Sequence, residues 1–216
     1  MKKFSSRCSE CPRLADFLAD VREQNPDYFA RPVPPFGDPE ARLLIVGLAP
    51  GMHGANRTGR PFTGDYAGVL LYQTLYDYGF SSSPVSESAD DGLQLYNCRI
   101  TNAVKCLPPQ NKPIGVEINT CNPYLKTELA ELASGSVILA LGSIAHNAVL
   151  RASGLRLSDY KFAHAAKHKL SDDLVLVDSY HCSRYNTQTK RLTEKMFRSV
   201  FQKVRKMLET ESVASP

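Results

Sequence analysis

The sequence predicts an α/β domain: a three-layer sandwich in which a central, mainly parallel sheet of four strands is flanked by helices. Three observations carry this. Four short apolar runs, Arg42–Leu48, Tyr96–Ala103, Ser136–Leu141 and Leu174–Tyr180, lack full alternation, as strands covered on both faces do. Segments with helical spacing lie between them, and a β-α alternation builds a parallel sheet between helical layers. The length of 216 residues suits one such domain, which would span residues 1–210 and leave 211–216 as a frayed tail.

In chain order, Leu14, Phe17, Leu18 and Val21 fall at helical spacing after Cys11-Pro12. The segment from Asn25 to Glu40 holds five prolines and reads as an extended wrapping arm, neither a helix nor a central strand. After the first apolar run come a glycine-rich stretch and a helix over Ala67–Tyr78, stopped by Gly79. Ser81–Gly92 is a polar surface loop between that helix and the second strand. Further helices are predicted over Glu117–Ala133, with a break at Pro123, and over Ser143–Ala152. A last amphipathic helix runs from about Arg191 to Leu208, with Phe197, Phe201, Val204 and Leu208 on one stripe.

Composition excludes several classes. Hydrophobic content of 43% and 22% charge describe an ordinary globular chain. No run reaches the ~18 uninterrupted apolar residues of a membrane span, because the best, Ser136 to Leu150, carries His146 and Asn147. Ser5-Ser6-Arg7-Cys8 stands where a signal peptide would have its apolar core, so a cytoplasmic protein is expected, with no membrane partner. A net charge of +4 permits nucleic-acid contact without demanding it. From Lys190 to Glu209, however, seven Lys/Arg face two acids, which reads either as a solvated helix face or as a phosphate-binding one.

Six cysteines in a cytosolic chain are not a disulfide framework. Cys8 and Cys11 form a C-x2-C pair, and Cys106 and Cys121 a C-x14-C pair. Together they can form one four-thiolate metal site, although the second pair is too wide for a zinc-ribbon knuckle. Cys98 and Cys182 stand apart and read as buried small hydrophobes.

In sheets of this kind ligands bind beyond the carboxyl ends of the strands, which singles out three strings. The first runs from Gly47 to Asp65, with five glycines in nineteen residues. It lets backbone amides approach a ligand closely. Gly54 to Gly59 has P-loop spacing, but Arg60 replaces the lysine and Pro61 stands where a hydroxyl must hold magnesium, so nucleotide hydrolysis is disfavoured. The second string is Thr101-Asn102-Ala103-Val104-Lys105-Cys106. Asn102 is either a turn residue or an amide that reads a base edge with one donor and one acceptor. The third is His181-Cys182-Ser183-Arg184-Tyr185-Asn186-Thr187. His181 and Cys182 point to opposite sides of an extended chain, so they do not make a nucleophile–base pair.

Taken together, these strings resemble the uracil-DNA glycosylase superfamily, in particular its family 5 branch. Gly47-Leu48-Ala49-Pro50-Gly51, His53-Gly54, Asn56-Arg57-Thr58-Gly59 and Phe62-Thr63-Gly64-Asp65 resemble that branch's first motif. Thr101 to Cys106 is similar to a strand motif shared with family 4, and His181 to Thr187 to the H-P-S-x-x-N-T motif. The four cysteines fall where both families hold a [4Fe–4S] cluster. Two residues depart from the pattern: Cys182 replaces a proline beside His181, and Lys190 replaces a glycine before Arg191-Leu192-Thr193.

The resemblance implies an enzyme that flips uracil, and other deaminated bases such as hypoxanthine, out of DNA and hydrolyses the N-glycosidic bond, leaving an abasic site. It implies that Phe62 stacks on the base, that Asn102 bonds its edge, and that backbone near Ala49, Gly51 and His53 lines the pocket. His181 would stabilise the leaving base. Leu48 and Ala49 offer no general base, which leaves Asn102, Asn56 and Asp65 to orient water; Asp65 can instead cap the following helix. Arg57, Arg60, Arg184 and Asn186 would contact DNA, with the basic carboxy-terminal helix. Cys8, Cys11, Cys106 and Cys121 would hold the [4Fe–4S] cluster and staple the proline-rich arm to the core. The implied partner is double-stranded DNA, with single-stranded DNA as a second form, acted on by a monomer. The rival expectation is a non-catalytic iron–sulfur nucleic-acid-binding module of the same fold.

Overall fold

A computed structural model describes residues 2–212. The elements are α1 (Pro12–Gln24), β1 (Phe36–Gly37), β2 (Leu43–Gly47), α2 (Ala55–Thr58), α3 (Tyr66–Asp77), β3 (Cys98–Asn102), α4 (Gly115–Ala130), β4 (Ser136–Leu141), α5 (Ser143–Ala152), β5 (Lys167–Lys169), β6 (Leu174–Ser179), α6 (Arg184–Gln188) and α7 (Glu194–Ser212). The sheet order is β1-β3-β2-β4-β6-β5. The four strands expected from sequence form its parallel centre, and two short antiparallel edge strands extend it to six.

Both faces of the centre are covered, which explains the unbroken apolar runs. Leu43, Ile45, Ile100, Val137, Leu139 and Val177 join one core with α3 and α7. The intervening Leu44, Val46, Ile138, Ala140 and Leu176 join a second core with α1, α4 and α5. Alternate side chains on one strand therefore feed different cores.

Several element boundaries differ from expectation. α4 runs unbroken through Pro123. The ring removes one ladder bond, at about 3 kcal/mol. Opposing it, Ile118, Cys121, Leu125 and Leu129 are buried, and Asn122 Nδ2 donates to the Ala148 carbonyl of α5 at 2.8 Å. α7 starts at Glu194, so Arg191 lies in the turn before it, and the helix reaches Ser212, into the expected tail. The remainder of that tail, residues 213–216, lies outside the described residues. The proline-rich arm supplies β1 and is pinned by Val33 N–H to the Lys105 carbonyl at 2.7 Å. Lys190 takes a φ of 57°, so the turn survives without glycine by forcing a lysine into the left-handed region.

Candidate active site

Within the parallel centre, β3 is added on one side of β2, and the chain then crosses to place β4 on the other side of β2. Crevices form where successive connections diverge like this. A cavity of about 520 Å³ opens there. Its walls come from Leu48, Ala49 and Gly51 after β2, Asn102 ending β3, Leu141 to Ile144 at the β4–α5 junction, and Tyr180, His181 and Ser183 after β6.

Phe62 and Asn102 lie against Gly47, the last residue of β2. A Cβ on Gly47 would stand 2.7 Å from the Phe62 ring and collide with Asn102 Oδ1, so only glycine leaves room for both. Phe62 is 5% exposed and adopts a φ of 56°, a strained conformation for an aromatic residue, with its carbonyl pressed against Gly68. Its ring stacks on His181, with centroids 5.8 Å apart and planes 28° from parallel. Asn102 is 3% exposed, and its Oδ1 has no partner among the described residues. A buried amide oxygen left unpaired costs about 1–3 kcal/mol, which a ligand donor would recover.

His181 is half-buried on the cavity wall. Burial pushes its pKa down to about 4, so the imidazole is neutral at physiological pH. Its carbonyl accepts from Asn186 Nδ2 at 2.8 Å, while Ser183 caps α6. Cys182 is fully buried in the core facing α7. The bond from Asn186 and the anchored Cys182 hold the His181 backbone where a proline would otherwise stiffen it.

Asp65 caps α3, with Oδ1 accepting from Gly68 N–H at 2.9 Å. Burial nevertheless raises its pKa, and the carboxylate lines the cavity beside Gly51 and Gly54. Both roles expected of this residue are therefore compatible.

Three expected site residues lie off the cavity wall, and a fourth, Asn186, lines it with its amide already engaged. Asn56 is fully buried on α2 and does not line the cavity; both its amide atoms lack partners among the described residues. His53 points away to the Tyr28 hydroxyl at 2.8 Å. Arg60 is 4% exposed, bonded to Asp91 at 2.6 Å and to the Ala89 carbonyl at 2.6 Å, and packed on the Phe36 ring. Its guanidinium is consumed inside the protein and cannot reach a phosphate. Asn186 spends its amide on the His181 carbonyl. Arg57 and Arg184 are exposed as expected, and Arg184 packs over the Tyr66 ring at the cavity mouth. On α7, Arg198 is tied to Asp77 and Glu194, and Arg205 to Glu209, which reduces that helix's free charge.

The sequence reading missed one whole wall. Gly142-Ser143-Ile144, Phe162, Tyr180 and Arg191 form it, with Arg191 over the Tyr180 ring at 4.8 Å. A strand followed directly by glycine and a helix, Leu141-Gly142-Ser143, was the signal available: it is the fourth strand end.

Cys8, Cys11, Cys106 and Cys121 converge on a second cavity, with Lys105 and Tyr124. Lys105 N–H donates to Cys121 Sγ at 3.3 Å, and the Tyr124 hydroxyl to Cys8 Sγ at 3.3 Å. Burial, then the neighbouring Cys121, Cys8 and Cys11, push the Cys106 thiol far up; burial takes Cys121 up to about 11 against the opposing pull of Lys105. Four thiols crowded this way are suited to a cationic group.

A family profile described as the uracil DNA glycosylase superfamily matches residues 34–205. The chain belongs to the uracil-DNA glycosylase superfamily. It is 47% identical over 205 residues to the type-5 uracil-DNA glycosylase of Thermus thermophilus, covering 93% of each chain. It is 43% identical to the type-5 enzyme of Mycobacterium leprae, covering 94% of this chain and 92% of the relative. The type-5 enzyme of Pyrobaculum aerophilum is 40% identical over 86% of this chain and 82% of its own. The six-stranded sheet with helices on both faces is consistent with the family's fold. No helix among the described residues is long and apolar enough to cross a membrane.

Proposed function

We propose that this glycosylase acts on DNA as a monofunctional base-excision enzyme, removing uracil and other deaminated bases such as hypoxanthine to leave an abasic site. Uracil-DNA glycosylase activity itself follows from family membership and the type-5 relatives. The residue roles are supported above all by one observation: a single cavity brings together the Phe62 ring, the Asn102 amide, whose oxygen has no partner among the described residues, and a neutral His181.

Flipping costs a few kcal/mol, less at a mispaired base, so G·U pairs are favoured over A·U. The extruded base stacks on Phe62, and its edge meets Asn102. Deamination converts an amino group to a carbonyl and places a proton on the adjacent ring nitrogen. Uracil and hypoxanthine thus offer the same neighbouring N–H and C=O, which one amide satisfies as a pair.

As the C1′–N bond breaks, its electron pair moves onto the base; water adds at C1′ and gives up a proton, and the departing base gains one to leave as the free base. A neutral His181 donates a hydrogen bond where that negative charge develops; such a donor is worth about 3 kcal/mol. Leu48 and Ala49 supply no base, so the sugar passes through a loose, cation-like state. Asp65 is the carboxylate on the cavity wall, placed to orient water through the oxygen that the helix cap does not use. Arg57 and Arg184 contact phosphates.

Cys8, Cys11, Cys106 and Cys121 hold a [4Fe–4S] cluster in this reading. When bound, it supplies a covalent staple between the amino-terminal arm, β3's exit and α4, constraining a long unfolded loop.

The test is a labelled duplex with one G·U pair, incubated with protein and then treated with alkali. Strand cleavage at uracil, lost at least a hundredfold in His181→Ala and in Asn102→Ala, supports the assignments. Near-normal rates in either variant remove that residue from the mechanism. No cleavage by iron-loaded, DNA-binding protein on G·U or G·hypoxanthine would favour a non-catalytic binding module.

A further inference from the structure

Behind the cavity wall, and outside the cavity, lies a buried charge cluster. Asp178 on β6 is fully buried; its Oδ1 accepts from His146 Nδ1 at 2.8 Å and its Oδ2 from His168 Nε2 at 3.0 Å. His146, on α5 and also fully buried, directs its other nitrogen to the Tyr160 carbonyl at 3.1 Å. A carbonyl can only accept, so His146 donates from Nε2 to Tyr160, and as an imidazolium it donates from Nδ1 to Asp178 as well. Burial opposes that charge, but the hydrogen bond and charge of Asp178 outweigh it and raise the pKa of His146.

The cluster touches no substrate position, yet each member is joined to a wall that does. Asp178, near the end of β6, precedes His181 by three residues. The next residue, Ser179, accepts at its carbonyl from Gly142 N–H at 2.8 Å, and the Gly142 carbonyl accepts from His146 N–H at 3.1 Å. A Cβ on Gly142 would lie 3.6 Å from His181 Cβ, so this junction backs the catalytic imidazole directly. On the far side, the His146 ring meets the edge of Phe162, a cavity wall two residues after Tyr160, with centroids 5.7 Å apart.

We propose that the buried His146–Asp178 ion pair is a positioning device for base excision, locking the first turn of α5, the end of β6 and the segment bearing Phe162 into one frame that aims His181. His146 and Asp178 are positioning residues, and His168 is an outer prop on the second carboxylate oxygen. The proposal rests on the reading that His181 acts at the leaving base.

The same three side chains could hold a metal, since their ligand atoms lie within 4.8 Å of one another. The spacing argues for hydrogen bonds instead: bonds of 2.0–2.1 Å at a tetrahedral ion would separate ligand atoms by about 3.3 Å. Here each imidazole already meets its own carboxylate oxygen at 2.8 and 3.0 Å.

The experiment compares the intact protein with Asp178→Asn and with the double variant His146→Leu/Asp178→Leu. Removing one partner strands a buried charge and can unfold the protein, whereas replacing both with apolar groups is often neutral for stability. For the double variant the expectation is an unchanged melting temperature within a few degrees and a G·U-duplex Kd within about twofold. Its single-turnover excision should be about tenfold or more slower, the signature of misplacement without lost binding. A folded double variant with the parent rate, beside an inactive His181→Ala, overturns the positioning role alone; an active His181→Ala overturns the underlying reading. ¹⁵N NMR of the parent protein should show His146 taking its second ring proton at higher pH than a free imidazole does. A midpoint at or below that of free imidazole, or one equivalent of zinc bound by the parent and lost in Asp178→Asn, also overturns the proposal.

Discussion

Gly47→Ala places a single methyl group at the floor of the base pocket. Its Cβ would stand 2.7 Å from Cε2 and Cζ of Phe62 and closer still to Asn102 Oδ1. Carbon atoms at contact sit about 3.5–4.0 Å apart, so Phe62 must retreat by about 1 Å. Its route is narrow, since the Phe62 carbonyl is pressed against Gly68 and the ring already lies on His181. Forcing a methyl into a packed site costs about 1–3 kcal/mol of stability. At 216 residues that is a loss of roughly 2–12 °C in melting temperature. The functional loss should be larger than the structural one. In the proposed reading the methyl displaces the ring that stacks on the base and the amide that meets its edge together, and a misplacement of about 1 Å can cost a hundredfold. Single-turnover excision on a G·U duplex, at a temperature where melting shows the variant folded, measures this. A rate within threefold of the parent, with the fold intact, would show that neither Phe62 nor Asn102 needs its present position, and the account of base recognition would fail.

Other expectations concern charges and turns. Arg57→Ala and Arg184→Ala should each lower the slope of log Kd against log salt by about 1, while Arg60→Ala leaves the slope unchanged because its guanidinium is internal. Arg60→Gln should instead sensitise the protein to acid. Burial raises the Asp91 pKa, but Arg60 and three backbone N–H groups outweigh it and hold the carboxyl at about 2. That stability is present above about pH 3.9 and lost as pH falls toward 2, so acid unfolding should begin at higher pH in the variant. His181 titrates with the opposite cause: the unfolded chain takes its proton near 6.5 and the folded chain only near 4, so its contribution is full above about pH 6.5 and fades as pH falls to 4. The single-turnover rate should accordingly show no His181 limb between pH 8 and about 5. Lys190→Gly should raise stability by about 1 kcal/mol, read as a melting-temperature increase of about 2–4 °C, by relieving the left-handed φ of 57°.

The central strands were legible because burial on both faces writes a continuous apolar run, and Leu43 to Val46 shows this, each residue buried and successive ones feeding different cores. Edge strands leave no such mark. Phe36–Gly37 sits inside a proline-rich arm, and Lys167-His168-Lys169 is polar because an edge strand half-faces water. Pro123 misled because a local propensity was weighed without the burial of Ile118, Cys121, Leu125 and Leu129 that overrides it. At the site, Phe62, Asn102 and His181 were readable as motif residues, whereas Arg60 was not separable from Arg57. Both are arginines in one glycine-rich loop, and only the fold puts Asp91 beside Arg60.

Asp65→Asn separates two functions that the structure superimposes on one side chain. Asparagine caps a helix about as well as aspartate, so the bond to Gly68 N–H should survive and the melting temperature should change little. What is lost is the charge beside Gly51 and Gly54. Burial raises the Asp65 pKa, but the two backbone N–H groups at the cap work against that rise and favour the carboxylate. Since the first motif carries no other acid, a cation-like sugar in this cavity has only Asp65 among the cavity's walls to supply compensating negative charge. Placing a carboxylate near a developing positive charge in a water-poor site is worth several kcal/mol, so the variant should retain G·U binding and lose excision by at least a hundredfold. Asp65→Ala would lose both cap and charge, and the difference in melting temperature between the two variants isolates the cap at about 1 kcal/mol. An Asp65→Asn protein with the parent excision rate would leave the capping role as the whole of its contribution, and the water would then have to be oriented by Asn102 alone.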